Sequence, residues 1–346
     1  MIVLNKVSKQ YKGILVNKND SGIYLWVKNF LKLTSNKATS LWAIKNISVS
    51  IYRGEIFGIY GANGAGKTTL IKMISGLLGT TSGTVEILGR TDPRHIKDTV
   101  SYISTNGWMG LEWPLTAREN LILYANLFGI SGQRLDEKCN EVLKMLGMTE
   151  AQDKFISQLS AGMRQKITIA RGLILNRPII FYDEPSVSLD LQSSRSLREL
   201  IQTDAVQNQR TAIIASHNTE DLAICNRLMF LSKGEMIALG TLDELKKPLN
   251  SIQIIEVNCP NAVQNIDLSS LSGVKSVIYT SVEGKRDYQS IKLSTRKGEF
   301  SLNDLIDYFI ERNIGVLDIK SKEITLQEIY EYYLSLRGEG ERNEIV

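Results

Sequence analysis

The sequence predicts an α/β protein with a mainly parallel core sheet, followed by a second, smaller α+β domain. The first observation is a set of short apolar runs, bounded by Gly, Asp, Asn or Ser, at residues 56–60, 179–182, 211–216 and 227–232. Such runs are typical of strands that are buried on both faces of a sheet. The second observation is the helical pattern between these runs, which indicates right-handed crossovers. The third is the length of 346 residues, which is enough for about two domains.

The smaller domain is expected at residues 249–340, after a first domain at residues 1–248. Its predicted strands are at residues 251–258, 275–281, 288–294 and 316–321, and its predicted helices are at residues 301–313 and 325–336. With a further short helix near residues 260–271, the order is β-α-β-β-α-β, which predicts a ferredoxin-like domain. The polar residues 341–346 predict a disordered tail.

Composition and charge exclude several classes of function. The net charge of +4 is small, so no nucleic-acid partner is expected. Cys139, Cys225 and Cys259 lie far apart without metal-ligand spacing, which predicts structural thiols in a reducing compartment. The N-terminus has no signal pattern, and no stretch approaches the roughly 20 apolar residues that span a bilayer. The chain is therefore expected to act on a membrane only from outside its hydrocarbon core.

A phosphate-binding loop is predicted directly after the apolar run at residues 56–60. The following residues fit the pattern G-x-x-x-x-G-K-[ST] in full and lead into a helical stretch. Glycines let the backbone turn its N–H groups toward a phosphate, and the positive end of the helix points to the same place. Lys67 is expected to reach the β- and γ-phosphates, and the Thr68 hydroxyl to bind Mg²⁺. The expected nucleotide-binding residues of this loop are Gly61, Asn63, Gly64, Ala65, Gly66, Lys67, Thr68 and Thr69.

Two further strand ends carry side chains suited to phosphate chemistry. Asp183 and Glu184 follow the apolar run at residues 179–182, at the edge where α/β sheets bind ligands. Asp183 is expected to hold the metal, and Glu184 to orient and deprotonate an attacking water. His217 follows the run at residues 211–216 and is expected to contact the γ-phosphate. The alternatives are a salt bridge for the acidic pair and a structural hydrogen bond for the histidine.

The stretch LSAGM at residues 159–163 narrows the choice among nucleotide-binding families. Ser160 begins a predicted helix among small residues, where its hydroxyl and free N–H groups suit an anion. The stretch resembles the LSGGQ signature of ATP-binding cassette (ABC) ATPases, with Met163 in place of the usual Gln. Its distance from the acidic pair, the SLD at residues 188–190 and the position of His217 are similar to that family as well. The resemblance covers residues 1–248 and implies the P-loop ABC ATPase fold, with an antiparallel β subdomain and a helical subdomain, and hydrolysis of ATP with Mg²⁺.

The resemblance also implies a head-to-tail dimer that holds two ATP molecules between its subunits. Ser160 and Gly162 of one subunit would contact the γ-phosphate held by Lys67 of the other, and Asp190 would lie across the interface. Tyr11 matches the aromatic residue that stacks on adenine in this family. The alternative for Tyr11 is a core aromatic at the end of a strand.

A single cassette without long coiled coils or zinc modules resembles a transport subunit. The expected partners are integral membrane permease subunits and a second copy of the chain or a paralogous ATPase, at the cytoplasmic face of the cell membrane. The helices predicted in residues 249–340 resemble those of export ATPases rather than the all-β extension of sugar importers. An ABC-2-type exporter of drugs, antibiotics, polysaccharide or teichoic acid is therefore expected. The alternative is a non-transporting regulatory ABC ATPase that acts on ribosomes or DNA.

Residues 13–41 form a basic insertion that also resembles those of polysaccharide and teichoic-acid exporters. Ile23, Val27, Phe30 and Leu31 recur at helical spacing, which predicts an amphipathic helix. Two interpretations remain open. The helix contacts a membrane surface or a partner, or it packs on its own domain.

The sequence departs from the ABC pattern where a glutamine normally binds Mg²⁺. The position falls on Thr105, or on Asn106 if the loop shifts by one residue, and Asn106 is the expected metal ligand because it keeps the amide. Three interpretations remain open. The subunit is active, with Asn106 or a water completing the metal shell, or it hydrolyses ATP slowly. The third is that it is a degenerate partner of another cassette. The same loop carries Trp108 and Trp113, which are expected either to anchor a partner or to pack within the helical subdomain.

Overall fold

The structure, a computed structural model, describes residues 1–13, 39–104, 110–260, 267–281 and 288–338. The chain divides into two compact units, Met1–Met236 and Ile237–Val346. Several sequence predictions lie outside the described residues, namely the insertion helix, Thr105 and Asn106, Trp108, and the tail. Among the residues that are described, no helix combines the length and apolar character needed to cross a membrane.

The strands that begin in the first unit form two sheets. In chain order they are β1 (Ile2–Gly13), β2 (Thr39–Ile51), β3 (Ile56–Tyr60), β4 (Ser82–Ile87), β5 (Val100–Ser104), β6 (Ile179–Asp183), β7 (Thr211–Ser216), β8 (Arg227–Ser232) and β9 (Glu235–Gly240). The larger sheet has the order β5-β6-β7-β3-β8-β9, and its strand pairings from β5 to β8 are parallel. The smaller sheet, β2-β1-β4, is antiparallel. Both the mainly parallel core sheet and the antiparallel subdomain are thus confirmed.

The four apolar runs of the sequence are the four central strands of the larger sheet. Every residue of β3, β6 and β7 is buried, as expected for strands covered on both faces. Because neighbouring strands run in the same direction, the ends of β3, β6 and β7 meet at one edge of the sheet. This edge is where the functional side chains gather.

The helices of the first unit complete its layers. They are α1 (Lys67–Ile74), α2 (Pro93–Thr99), α3 (Ala117–Leu127), α4 (Gln133–Met145), α5 (Ala161–Ile174), α6 (Leu191–Gln207) and α7 (Thr219–Leu222). Helices α3, α4 and α5 contact one another and form the helical subdomain. A capping box of Thr116 and Glu119 begins α3. Helix α5 also packs on β5 through Gly172, where an added Cβ would lie 2.3 Å from Ile103 Cγ1.

The second unit contains α8 (Leu242–Lys246), β10 (Ile252–Pro260), β11 (Val274–Ser281), β12 (Tyr288–Arg296), α9 (Leu302–Glu311), β13 (Asp318–Lys322) and α10 (Leu326–Ser335). Its sheet has the order β11-β12-β10-β13 with antiparallel neighbours, as a ferredoxin-like chain order requires. Side chains of α9 pack on one face of this sheet, with Leu305 and Phe309 in the core. The helix expected near residues 260–271 falls largely outside the described residues, and residues 267–271 are not helical.

The division between the units falls earlier in the chain than the boundary predicted after residue 248. Helix α8 comes after this division and packs on α10 of the second unit. The Tyr333 hydroxyl of α10 donates a hydrogen bond to the Leu245 carbonyl of α8, at 3.4 Å. This contact depends on residues far apart in the sequence, so local patterns do not reveal it.

Candidate functional site

A tight backbone loop connects β3 to α1. It places Gly66 directly before α1, with a φ of 109° that only glycine adopts readily. A Cβ on Gly66 would lie 2.6 Å from the Ala43 carbonyl oxygen, and one on Gly61 would lie 2.3 Å from that of Leu231. Close backbone approach therefore requires a glycine at both positions, and at Gly66 the backbone conformation requires one as well.

Lys67 lies at the first position of α1 and is almost fully buried. Its Nζ donates a hydrogen bond of 2.7 Å to the Gly61 carbonyl oxygen and lies 3.2 Å from Glu184 Oε1. The ammonium group therefore lies between the loop and the acidic pair. A phosphate bound in the loop would compete with Glu184 for this positive charge.

Thr68 and Asp183, both expected to bind the metal, lie side by side. The Thr68 Oγ1 donates to Asp183 Oδ1 at 3.0 Å, and the Tyr102 hydroxyl donates to Asp183 Oδ2 at 2.9 Å. Burial raises the pKa of the Asp183 carboxyl, while the hydrogen bonds from Tyr102 and Thr68 oppose that rise. Burial and then the charge of Asp183 raise the pKa of Tyr102, which keeps the phenol a hydrogen-bond donor.

Tyr102 is a site residue that the sequence patterns did not single out. It lies on β5, whose register with β6 pairs Ser104 with Asp183 and Tyr102 with Phe181. A tyrosine two residues before the end of the neighbouring strand is long enough to reach the carboxylate. Only the register between strands could have revealed Tyr102 as a site residue. That register can be used only when β5 and β6 are known to be neighbours.

Glu184 and His217 also lie together, at the ends of adjacent strands. The His217 Nδ1 is 2.7 Å from Glu184 Oε2, and the His217 backbone N–H donates to the same oxygen at 3.3 Å. Glu184 has a φ of 52°, a left-handed conformation that costs free energy for a residue with a Cβ. Strained backbone persists only where the surrounding structure holds it in place. It is common at functional sites.

A groove of about 660 Å³ runs along the phosphate-binding loop. The residues that line it come from β2, the loop, α1 and the ends of β6 and β8, and include Leu41, Trp42, Ala43, Lys45, Ala62, Asn63, Gly64, Ala65, Gly66, Lys67, Thr68, Thr69, Glu184, Lys233 and Gly234. Trp42, which the sequence patterns missed, is thus the aromatic side chain of the lining, and it is 40% exposed. Tyr11 lies on β1 opposite Leu41, outside the lining. It is 41% exposed, so the alternative of a core aromatic is wrong.

The groove suits a magnesium nucleotide by its chemistry. Hydroxyl and carboxylate oxygens are ligands that Mg²⁺ prefers, and Thr68 and Asp183 supply them side by side. Gly61 and Gly66 have no room for a side chain, which leaves the loop backbone to line the groove. Lys67 adds a positive charge for phosphate.

Three further predicted residues lie away from this lining within one chain. Ser160 begins α5 and accepts a hydrogen bond from the Met163 backbone N–H at 3.2 Å. Gly162 lies against the Ser188 carbonyl oxygen, which would be 3.1 Å from an added Cβ. Asp190 begins α6, where hydrogen bonds from Ser193 lower the pKa of its carboxyl. One chain therefore brings together the loop, the acidic pair and His217, but not these three residues.

A phosphate-binding loop beside an acidic pair, at the end of a mainly parallel sheet, defines a P-loop nucleotide-hydrolysing protein. The ABC transporter family model matches residues 44–187. The ABC transporter ATP-binding protein NatA of Bacillus subtilis (strain 168) is 35% identical over 207 residues, 59% of this chain and 83% of NatA. The linearmycin resistance ATP-binding protein LnrL of the same strain is 30% identical over 301 residues, 85% of this chain and 93% of LnrL. The chain belongs to the ABC transporter ATP-binding proteins.

A solved structure and an importer relative extend the comparison. The dimeric ATP-binding cassette MJ0796, in a post-hydrolysis state bound to ADP and Pi, aligns with a TM-score of 0.59 and 25% identity, over 70% of this chain and 99% of that cassette. The methionine import ATP-binding protein MetN of B. subtilis (strain 168) is 32% identical, over 63% of this chain and 66% of MetN. The chain is accordingly an ATPase, and it is the ATP-binding component of an ABC transporter.

Proposed function

We propose that this chain is the ATPase subunit of an ABC exporter of the ABC-2 type. It works as a dimer with integral membrane permease subunits, at the cytoplasmic face of the cell membrane. LnrL supports outward transport, because it is named for resistance and its 301 aligned residues exceed the 236 residues of the first unit. The match to the importer MetN covers less of the chain, 63% against 85%.

The observation that carries this function is the cluster at the edge of the core sheet. It consists of Lys67, Thr68, Asp183, Glu184 and His217. Lys67 supplies positive charge to the β- and γ-phosphates, and Glu184 acts as the general base that orients and deprotonates a water. His217 shares an oxygen of Glu184 and, being half-exposed, is available to the γ-phosphate. Mg²⁺, held by Thr68 and Asp183, would neutralise charge on the phosphate oxygens.

Two aromatic residues near the groove, Trp42 and Tyr11, are candidates for contact with the base. Trp42 lines the groove and offers a partly exposed ring on which adenine can stack. Tyr11 lies one strand away, with Lys9 Nζ 5.5 Å from its ring. We therefore place Trp42 beside the base and keep Tyr11 as an additional contact.

The positions of Ser160, Gly162 and Asp190 support dimerisation. These residues do not line the groove of their own chain, yet Ser160 presents the start of α5 and Asp190 the start of α6. Helix starts attract anions. In a head-to-tail dimer, Ser160 and Gly162 would reach the γ-phosphate in the partner's groove, and Asp190 would lie at the interface.

An apolar surface on the helical subdomain is the proposed permease contact. We call it the α3 surface, and it consists of Trp113, Leu123, Leu127 and Phe128, which are 40–74% exposed. Trp113 has the Arg164 guanidinium 5.5 Å from its ring. Arg164 is a residue of α5, so this contact lies within the helical subdomain. The ring is still 44% exposed, and tryptophan is enriched among the side chains that anchor interfaces. The α3 surface therefore supports an anchoring role for Trp113.

Co-purification tests the transport part of the proposal. The full chain, carrying an affinity tag and expressed in its own host, should be isolated from detergent-solubilised membranes together with a protein of several membrane spans. The amount recovered should fall when the α3 surface is disrupted by Leu127→Asp. Recovery with ribosomes or DNA instead, and without any polytopic protein, would mean that the chain is a regulatory ATPase.

A further inference from the structure

A buried acidic residue, Asp221, lies behind the candidate site. It belongs to the short helix α7 and is only 2% exposed. Its Oδ2 accepts a hydrogen bond from Ser186 Oγ at 2.6 Å and another from Ser216 Oγ at 2.9 Å. Hydrogen bonds to a buried carboxylate are strong, so this junction is rigid.

The two serines belong to the segments that carry the site. Ser216 is the last residue of β7 and directly precedes His217, and its Oγ lies 3.2 Å from Glu184 Oε2. Ser186 follows Glu184 by two residues, in the turn that leads to Asp190. Asp221 therefore ties the end of β7 to the turn that follows β6.

That turn needs support because its backbone is strained. Glu184 and Ser188 have φ angles of 52° and 73°, in the left-handed region that residues with a Cβ disfavour. Such conformations persist only where the surrounding structure holds them. Ser186 lies midway between these two residues, so its hydrogen bond to Asp221 is well placed to hold the turn.

A third segment, α6, joins the network by charge. The Arg198 Nη1 lies 3.7 Å from Asp221 Oδ1, and its Nη2 lies 3.0 Å from Glu220 Oε2. A nearby cation offsets part of the cost of burying a carboxylate. Because α6 begins immediately after Asp190, this ion pair holds the helix that follows the strained turn.

Ser216 is also within hydrogen-bond distance of Glu184 Oε2, beside the backbone N–H and Nδ1 of His217. Its hydroxyl has one proton and two carboxylate acceptors, Asp221 at 2.9 Å and Glu184 at 3.2 Å. The shorter distance favours donation to Asp221. Asp221 thus competes with Glu184 for this proton and leaves the Glu184 oxygen more able to accept a proton from water.

We propose that Asp221 is a positioning residue for ATP hydrolysis. Through its hydrogen bonds with Ser186 and Ser216, it fixes the positions of Glu184 and His217 relative to the turn that leads to Asp190. This inference rests on the proposed roles of Glu184 and His217. Asp221 is buried and is not among the residues that line the groove, so its loss is expected to slow turnover without weakening ATP binding.

The test compares Asp221→Asn with Glu220→Gln in the full chain. Misplacing a catalytic group commonly costs about 100-fold in rate, so kcat of Asp221→Asn should fall by about 10- to 100-fold. The KM for ATP and the ATP Kd should each change by less than about twofold. Glu220→Gln removes the other partner of Arg198 but no contact to the serines, and it should keep the wild-type kcat. Thermal melting of each variant verifies that it is folded.

Removing the serines tests whether Asp221 acts through them. In a Ser186→Ala/Ser216→Ala background, adding Asp221→Asn should lower kcat little further, because residues that act as a unit are non-additive. Wild-type kcat in a folded Asp221→Asn variant would overturn the inference, and so would an unchanged Asp221→Asn effect in the serine-free background. If Asp221→Asn does not fold, the single variants Ser186→Ala and Ser216→Ala test the inference instead. Wild-type kcat in both of them would overturn it. Glu184→Gln is measured alongside. If the Glu184→Gln variant keeps its activity, the proposed role of Glu184 itself is rejected. This result differs from wild-type kcat in Asp221→Asn alone, which rejects only the inference about Asp221.

Discussion

The Tyr102 hydroxyl donates a hydrogen bond of 2.9 Å to Oδ2 of Asp183, and the Thr68 hydroxyl takes the other carboxylate oxygen at 3.0 Å. The carboxylate of Asp183 is thus held from both sides within one chain. Tyr102 orients the group from β5, the strand that leads into the loop where the usual glutamine is absent.

We predict that Tyr102→Phe weakens Mg²⁺ binding while ATP binding without metal is retained. A hydrogen bond to a charged group contributes about 1.5–3 kcal/mol, of which part is recovered by relaxation, so the Mg²⁺ concentration for half-maximal activity should rise about tenfold. Calorimetric titration of ATP with and without Mg²⁺ gives a measurement that is independent of turnover. Tyr52→Phe, at an exposed tyrosine away from the groove, is the matched control. Equal Mg²⁺ dependence in both variants would show that Tyr102 has no part in the metal site.

Trp42→Ala should raise the KM for ATP more than Tyr11→Ala does. Stacking of a base on an aromatic ring contributes about 1–3 kcal/mol, so we expect an increase of about 5- to 100-fold with little change in kcat. Trp42→Phe should restore most of the affinity because it keeps an aromatic face. A larger effect of Tyr11→Ala would instead assign the base to Tyr11, as the family resemblance implies.

The glycines of the phosphate-binding loop are expected to differ in what they tolerate. Gly64 and Gly66 both have positive φ angles, of 82° and 109°. Only at Gly66 does an added Cβ meet other atoms, 2.6 Å from the Ala43 carbonyl oxygen. Gly66→Ala should therefore lower the free energy of unfolding by about 1–3 kcal/mol more than Gly64→Ala. Chemical denaturation of the two variants measures this difference, and equal stability would show that the loop moves away from Ala43 without cost.

Trp113→Ala is expected to separate assembly from catalysis. The isolated variant should keep its ATPase activity, since Trp113 lies outside the groove, while recovery of the polytopic partner should fall severalfold. Val206→Ala, at a 78% exposed position on α6, is the control for a general loss of surface area. Undiminished recovery of the partner with Trp113→Ala would place the permease contact elsewhere.

The parts of the site that are contiguous in sequence were predictable. The loop from Gly61 to Thr68 and the pair Asp183 and Glu184 each follow a buried strand, and local pattern is enough to place them. Tyr102 was not predictable because its contact depends on the register between two strands.

Other features depend on distant segments in the same way. Trp42 lines the groove only because β2 runs beside the loop, and the ties from Asp221 to Ser186 and Ser216 join three separate segments. The hydrogen bond between α10 and α8 also joins two segments that are far apart in the sequence. In each case tertiary packing, rather than residue pattern, determines the contact.

The most direct test of the central claim is the ATPase activity and the assembly state of Glu184→Gln. We expect wild-type protein to hydrolyse ATP only with Mg²⁺, and the variant to lose at least about 100-fold in kcat while still binding ATP. We also expect ATP to convert the variant, but not a Lys67→Ala variant, into a stable dimer detectable by light scattering. Full activity of Glu184→Gln, or no dimer with ATP bound, would contradict the account.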